Sequence, residues 1–192
     1  MRERLARVRD EVGPEVTVVA ATKYVSAADM GVLAEAGVEV VGENKAQDLE
    51  EKHALHGEAF RWHFIGHLQS RKAKVVSGLC ELVHSLDSKS AARRLAVPAL
   101  LQVNLAAEES KSGVAPEEIA KYLDLFPGIR GLSTMPPATG DPEQSRPYFR
   151  KLHELAQEHG LTELSMGTSQ DYKVGAEEGA TMIRIGSVLY QG

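Results

Sequence analysis

The chain has one cysteine, Cys80, among 192 residues, so no internal disulfide can staple it, which suits a reducing cytosol. It lacks an excess of positive charge. The 22 Lys and Arg are outnumbered by 27 Asp and Glu, for a net −5 with histidine neutral. A general attraction to nucleic acid or to an anionic membrane is thereby excluded. No apolar run reaches membrane-spanning length. The start, Met1 to Gly13, is rich in Arg and Glu and has no apolar run of signal-peptide type. No low-complexity block or linker divides the chain, because the Pro- and Gly-rich stretch from Met135 to Pro147 is short enough to be one loop. The expectation is a single cytoplasmic domain over residues 1–192, with neither nucleic acid nor membrane as partner.

What is present is a repeat of short apolar β-type runs, each followed by an amphipathic helical run. Thr17–Thr22 precedes a helix over Ala27–Ala36, Val38–Val41 precedes Lys45–Leu55, and Trp62–Ile65 precedes Arg71–Ser77. Leu82–Ser85 precedes Lys89–Ala96, Ala99–Asn104 precedes Pro116–Phe126, and Ile129–Thr134 precedes Glu143–His159. Leu164–Gly167 precedes Gln170–Glu178, and Met182–Ile185 closes the series. Strands alternating with helices pair in parallel through right-handed crossovers. Eight of them predict an α/β protein built as a single (β/α)₈ TIM-type barrel. An extra N-terminal helix over Arg2–Val12 covers the wall left bare after the last strand. An open doubly wound sheet favours a Gly-rich turn after its first strand, and the turn here, residues 22–26, has no glycine. Two features strain the barrel. The length is below the usual range of roughly 200 to 250 residues, and Ser88 to Pro98 is tight for a helix and its return loop. Either the barrel is trimmed there or residues are missing before Pro98.

Barrel sites form at the C-terminal strand ends. Those ends carry Lys23, then Gly42-Glu43-Asn44, Gly66-His67, Asn104, Ser133-Thr134-Met135, Ser165 to Ser169, and Arg184 with Gly186-Ser187. Barrels often hold phosphate on the loops after strands seven and eight, with a short extra helix. Ser165, Gly167, Thr168, Ser169, Gly186 and Ser187 have the small and hydroxyl side chains that let backbone N–H groups reach an anion, and Val188–Gln191 supplies the helix. Lys23, beside Ala20, Ala21 and Thr22, is expected to be partly desolvated, which frees its amine to attack an aldehyde. The alternative is a solvated strand-end lysine, and Lys45, Lys111 and Lys173 compete for the role. Arg184, between Ile183 and Ile185, faces the barrel interior by alternation. There it needs a partner, either Glu43 in an ion pair or the ring nitrogen of a cofactor. His63 and His67 share a strand face, but no acidic or cysteine residue at matched spacing completes a metal site. Charged helical faces such as Asp48 to Lys52 read as solvated surface.

The motifs themselves carry a resemblance. ValValAlaAlaThrLysTyrValSer at 18–26, GlyGluAsn at 42–44, ArgTrpHisPheIleGlyHisLeuGlnSer at 61–70 and GlnValAsn at 102–104 are followed by GluSerLysSerGly at 109–113. GlyLeuSerThrMetProPro at 131–137, LeuSerMetGlyThrSer at 164–169 and IleArgIleGly at 183–186 complete the series. In this order, over nearly the whole chain, they resemble the pyridoxal phosphate homeostasis proteins, the alanine racemase N-terminal-domain-like family. The resemblance implies a monomeric barrel binding pyridoxal 5′-phosphate (PLP), with Lys23 in a Schiff base. It implies phosphate contacts from Ser165, Gly167, Ser169, Gly186 and Ser187, and Arg184 near the pyridine nitrogen. Asn44, His67 and Met135 line the pocket on the same ground. This sequence departs from the family in Thr168, where methionine is more usual, in Ser187, where threonine is common, and in the short segment before Pro98.

Two classes of function compete. In one the protein buffers PLP or delivers it to apo-enzymes. In the other it is an amino-acid racemase or a related PLP enzyme. Racemisation needs a base on each face of the substrate. Lys23 serves one, and the chain ends at Gly192 without the second domain that supplies a tyrosine in relatives of this fold type. Tyr24 is next to Lys23, but adjacent strand residues point to opposite faces. An arginine at the ring nitrogen keeps its proton and makes the ring a poorer electron sink. The expectation is a carrier without substantial catalysis.

Overall fold

The structure is a computed structural model and describes residues 1–106 and 112–190. Helix α1 (Arg2–Val12) leads into eight strands: β1 (Thr17–Ala21), β2 (Val40–Glu43), β3 (Arg61–Phe64), β4 (Leu82–Leu86), β5 (Ala99–Gln102), β6 (Ile129–Ser133), β7 (Glu163–Thr168) and β8 (Met182–Ile185). Between them run α2 (Met30–Glu35), α3 (Ala46–His56), α4 (Ala73–Leu79), α5 (Lys89–Ala92), α6 (Ile119–Leu125), α7 (Arg146–Glu158) and α8 (Tyr172–Glu177), and α9 (Ser187–Tyr190) follows β8. Neighbouring strands are parallel, and β8 returns to β1 through the pairs Thr17–Met182 to Ala20–Ile185, so the barrel is closed.

Strand alternation splits the apolar residues into two cores. Val19, Val40, Leu82, Leu100 and Met182 pack together inside the barrel against Ile65. Val18, Val41, Phe64, Val83, Leu101, Leu132, Ile183 and Ile185 face outward into the larger core shared with the helices. Fully burying each such side chain contributes about 1.5–3 kcal/mol. Helix α1 docks through Leu5 and Val8, both buried. Arg4 Nε donates to Leu189 O at 2.9 Å, and Lys173 pairs with Glu11 at 2.9 Å, so α1 lies against α8 and α9 as expected.

The tight segment before Pro98 is a trimmed helix. Helix α5 is one turn, capped by Ser88 Oγ accepting from Ala91 N at 3.2 Å, with Ala91, Ala92 and Leu95 buried. Ala96 N then bonds Ser77 Oγ at 3.0 Å, and the chain re-enters the sheet at Ala99. Strand bounds shift by one or two residues from expectation everywhere except β8, most of all at β2 and β5. β2 runs to Glu43 because Glu43 is buried on the outward face. β5 stops at Gln102, beyond which Val103 pairs with Val114 in a single bridge. Gln191, expected in the last helix, and most of the 109–113 motif lie outside the described residues.

Candidate functional site

At the C-terminal ends of the strands lies a cavity of about 780 Å³. Its wall includes seven of the ten residues expected to form the site: Lys23, Asn44, Met135, Ser169, Arg184, Gly186 and Ser187, with Thr168 beside them. The other three are elsewhere. Ser165 points into the barrel, where it hydrogen-bonds His84 Nδ1 at 2.7 Å. His67 is exposed and pairs with Asp87 at 3.5 Å, away from the cavity. Gly167 shapes the loop from behind: its φ is +96°, and a Cβ there would come within 2.9 Å of Tyr172 Cα.

The two C-terminal loops hold each other. Ser169 Oγ accepts from Gly186 N at 2.9 Å and from Val188 N at 3.3 Å. Asp171 Oδ1 accepts from Thr168 N at 2.7 Å and Thr168 Oγ1 at 2.9 Å, and Asp171 Oδ2 accepts from Ser145 Oγ at 2.7 Å. Thr168 is thus held by Asp171 through its hydroxyl, a bond that a methionine could not make. The result is a rim of backbone N–H groups and hydroxyls, in which the Gly186 and Val188 N–H groups are occupied by Ser169 Oγ and that of Thr168 by Asp171.

Arg184 faces the interior, as alternation requires, and is 8% exposed. Its Nη2 donates to Thr134 O at 2.7 Å and touches Met135 Sδ at 3.0 Å. Burial lowers its pKa to about 10, partly offset by the charge of Asp171, so the guanidinium stays cationic at neutral pH. The alternative partner, Glu43, is not available to it. Glu43 sits on the outward face of β2 and pairs with Lys52 at 2.5 Å. The charged stretch Asp48 to Lys52 is therefore not simply solvated surface, because Lys52 is buried.

Three residues that line the cavity each hold a buried polar atom with no hydrogen-bond partner among the described residues: Asn44 Oδ1, Arg184 Nε and Tyr190 Oη. Leaving such a group unpaired costs about 1–3 kcal/mol, so their convergence on one cavity marks a place for a polar ligand. Burial, and then the charge of Glu43, raises the Tyr190 pKa, which keeps this phenol a neutral donor. Tyr190 was missed from sequence. The segment carrying it was legible as a terminal helix, but the direction of its hydroxyl was not.

Lys23 departs from expectation in its surroundings. It lines the cavity but is exposed, with Nζ 4.8 Å from the centroid of the Tyr24 ring. The expected desolvation is absent because β1 ends at Ala21, leaving Lys23 in the turn beyond the sheet. For the same reason alternation no longer separates Lys23 from Tyr24, and the two side chains touch. Tyr24 is 86% exposed. Of the competing lysines, Lys45 and Lys173 lie off the cavity wall, and Lys111 lies outside the described residues. No cluster of three metal-ligating side chains exists among the described residues. His63 points inward, between His84 and Glu81, while His67 points out.

The chain matches the family described as "Alanine racemase, N-terminal domain" over residues 1–192. It is 42% identical to the pyridoxal phosphate homeostasis protein of Aquifex aeolicus over 175 residues, 80% of this chain and 77% of that one. It is 36% identical to the protein of the same name from Pseudomonas aeruginosa, over 91% of this chain and 84% of that one. Among solved structures it is similar to PipY of Synechococcus elongatus, determined with PLP bound, at a TM-score of 0.86 and 31% identity over 98% of this chain and 99% of PipY. A lysine decarboxylase from Selenomonas ruminantium shares the fold alone, at a TM-score of 0.73 and 15% identity over 97% of this chain and 60% of the enzyme. No helix among the described residues is long and apolar enough to cross a membrane.

Proposed function

The chain belongs to the alanine racemase N-terminal domain family, and from that premise we propose that it binds PLP in the cavity above the barrel and serves cellular PLP homeostasis as a carrier. The observation that carries the reading is a cavity at the strand ends lined by Lys23, Arg184 and the two C-terminal loops, with Asn44, Arg184 and Tyr190 on its wall each holding a buried polar atom that has no partner among the described residues. The residues present fit the group. Ser169, Gly186 and Ser187 are the residues for its phosphate, and Arg184 is the cation for its pyridine nitrogen. Asn44 and Met135 complete the wall, and Lys23 is the amine for its aldehyde. When bound, the group supplies an aldehyde that condenses reversibly with a primary amine.

Arg184, cationic at neutral pH, holds its own proton, so at a ring nitrogen it would make the ring a poorer electron sink than a carboxylate would. Tyr24 is 86% exposed, outside the buried wall where a second base on the opposite face of a substrate would have to stand. Both features support carriage over turnover. We further propose a cytoplasmic monomer, with apo-enzymes that need PLP as recipients.

The test is spectroscopic. The protein with PLP should show a visible absorption band that borohydride removes, leaving the added mass on Lys23. Lys23→Ala should abolish band and mass together. Appreciable racemisation of either alanine isomer would reject the carrier reading in favour of an enzyme.

A further inference from the structure

Behind the cavity wall, one buried carboxylate ties two of its strand ends together. Glu43 Oε1 accepts from Asn44 N at 2.9 Å. Glu43 Oε2 accepts from Thr22 Oγ1 at 2.8 Å and from Lys52 Nζ at 2.5 Å. Lys52 Nζ also donates to Thr22 O at 2.8 Å, and Thr22 N donates to Gly42 O at 3.0 Å. Glu43 is fully buried and Lys52 is 4% exposed. The residue just before Lys23 and the backbone of Asn44 are therefore fastened to the same ion pair. Lys52 stands on α3, which is anchored by buried Leu49.

A buried ion pair is a weak source of net stability, since desolvation consumes most of its attraction. What it supplies is direction, through donors and acceptors fixed in angle and distance. Direction is what Lys23 lacks, because its side chain is exposed beyond the sheet and its aim is set where the backbone leaves Thr22.

We propose that Glu43 and Lys52 are a positioning pair, which holds the ends of β1 and β2 so that Lys23 and Asn44 face the same cavity and the Lys23 amine meets an aldehyde bound there. The inference rests on the proposed function, and the experiment separates the two. Glu43→Gln keeps the shape and removes the charge. Two quantities are measured in the full chain: the rate at which PLP becomes borohydride-trappable on Lys23, and the affinity for pyridoxine 5′-phosphate, which has the ring and phosphate without the aldehyde.

Trapping should slow by roughly tenfold or more, the scale on which small misplacements of a reacting group act. Affinity for the aldehyde-free probe should fall by a clearly smaller factor than the trapping rate, because Asn44 alone among the wall residues that would hold it is bonded to the pair. An unchanged trapping rate overturns the proposal. So does an equal loss in both measurements, which would mean general disruption instead of misdirection. If Glu43→Gln does not fold, the double variant Glu43→Gln/Lys52→Met, with both charges gone, carries the same comparison. Absence of trapping in the unaltered protein would strike the proposed function itself, and this proposal with it.

Discussion

The barrel holds two buried polar regions built on opposite principles. In its interior, His63, His84 and Ser165 form a continuous chain that starts from the exposed Glu81 at the barrel's edge, with contacts of 2.9, 2.8 and 2.7 Å. A carboxylate only accepts, so His63 Nε2 donates to Glu81, His84 Nε2 donates to His63 Nδ1, and Ser165 Oγ donates to His84 Nδ1. Every ring nitrogen is used. At the cavity, by contrast, Asn44, Arg184 and Tyr190 each keep an unused polar atom. The histidines of the first set and the unused atoms of the second are both buried, and the two sets differ in satisfaction. Polar groups that complete one another support the fold, whereas polar groups that converge without completing one another await something from outside.

The sharpest test of that contrast exchanges the expected consequences. Arg184→Met should weaken PLP binding ten- to a hundredfold, about 1.5–3 kcal/mol for a charged hydrogen bond. Stability should move by less than about 1 kcal/mol, because loss of the Thr134 bond is offset by relief of a buried cation. Titration by fluorescence and urea unfolding read the two. His84→Leu should do the reverse. It leaves the Ser165 hydroxyl and His63 Nδ1 unpaired, so urea unfolding should show a loss of about 1–3 kcal/mol with PLP affinity unchanged. A drop in affinity would break the separation between the regions.

Acid should act on the interior chain before the cavity. Burial is the main cause that holds His63 and His84 below the ordinary value of 6.5. The folded protein therefore keeps both neutral while the unfolded chain takes up protons. Stability contributed by the neutral rings is fully present above pH 6.5 and is lost as the pH falls from there through their lowered folded values. In His84→Leu that acid loss should be smaller, which melting curves across pH 7 to about 5 would show. The smallest effect expected is that of Tyr190→Phe. Binding should weaken by about 0.5–1.5 kcal/mol, and calorimetry should show stability unchanged or slightly raised, because the hydroxyl removed has no partner to lose.

Much of this was legible in the chain itself. The period-two pattern located all eight strands and sent Arg184 inward between two isoleucines, because alternation is local geometry. The loops after the last two strands were legible for the same reason. What failed depended on where a strand stops or on what lies across from it. Lys23 was expected to be desolvated and Tyr24 to face away, yet β1 ends two residues earlier and neither rule applies there. Ser165 and Ser169 are alike in type, but Ser165 is still within the strand and meets His84, a partner 81 positions distant. Lys52 looked like one more charge on a wet helix face until Glu43 appeared behind it. Each of these depends on a contact remote in sequence, which periodicity does not encode.

The hydroxyl of Ser169, already seated on the N–H groups of Gly186 and Val188, has a kinetic consequence. If a phosphate binds there as proposed, it must displace a tethered oxygen to reach those amides, and that oxygen stands ready to return when the phosphate leaves. Release would then require no rebuilding of the rim, and a side chain that competes with the ligand would favour quick exchange over a tighter grip.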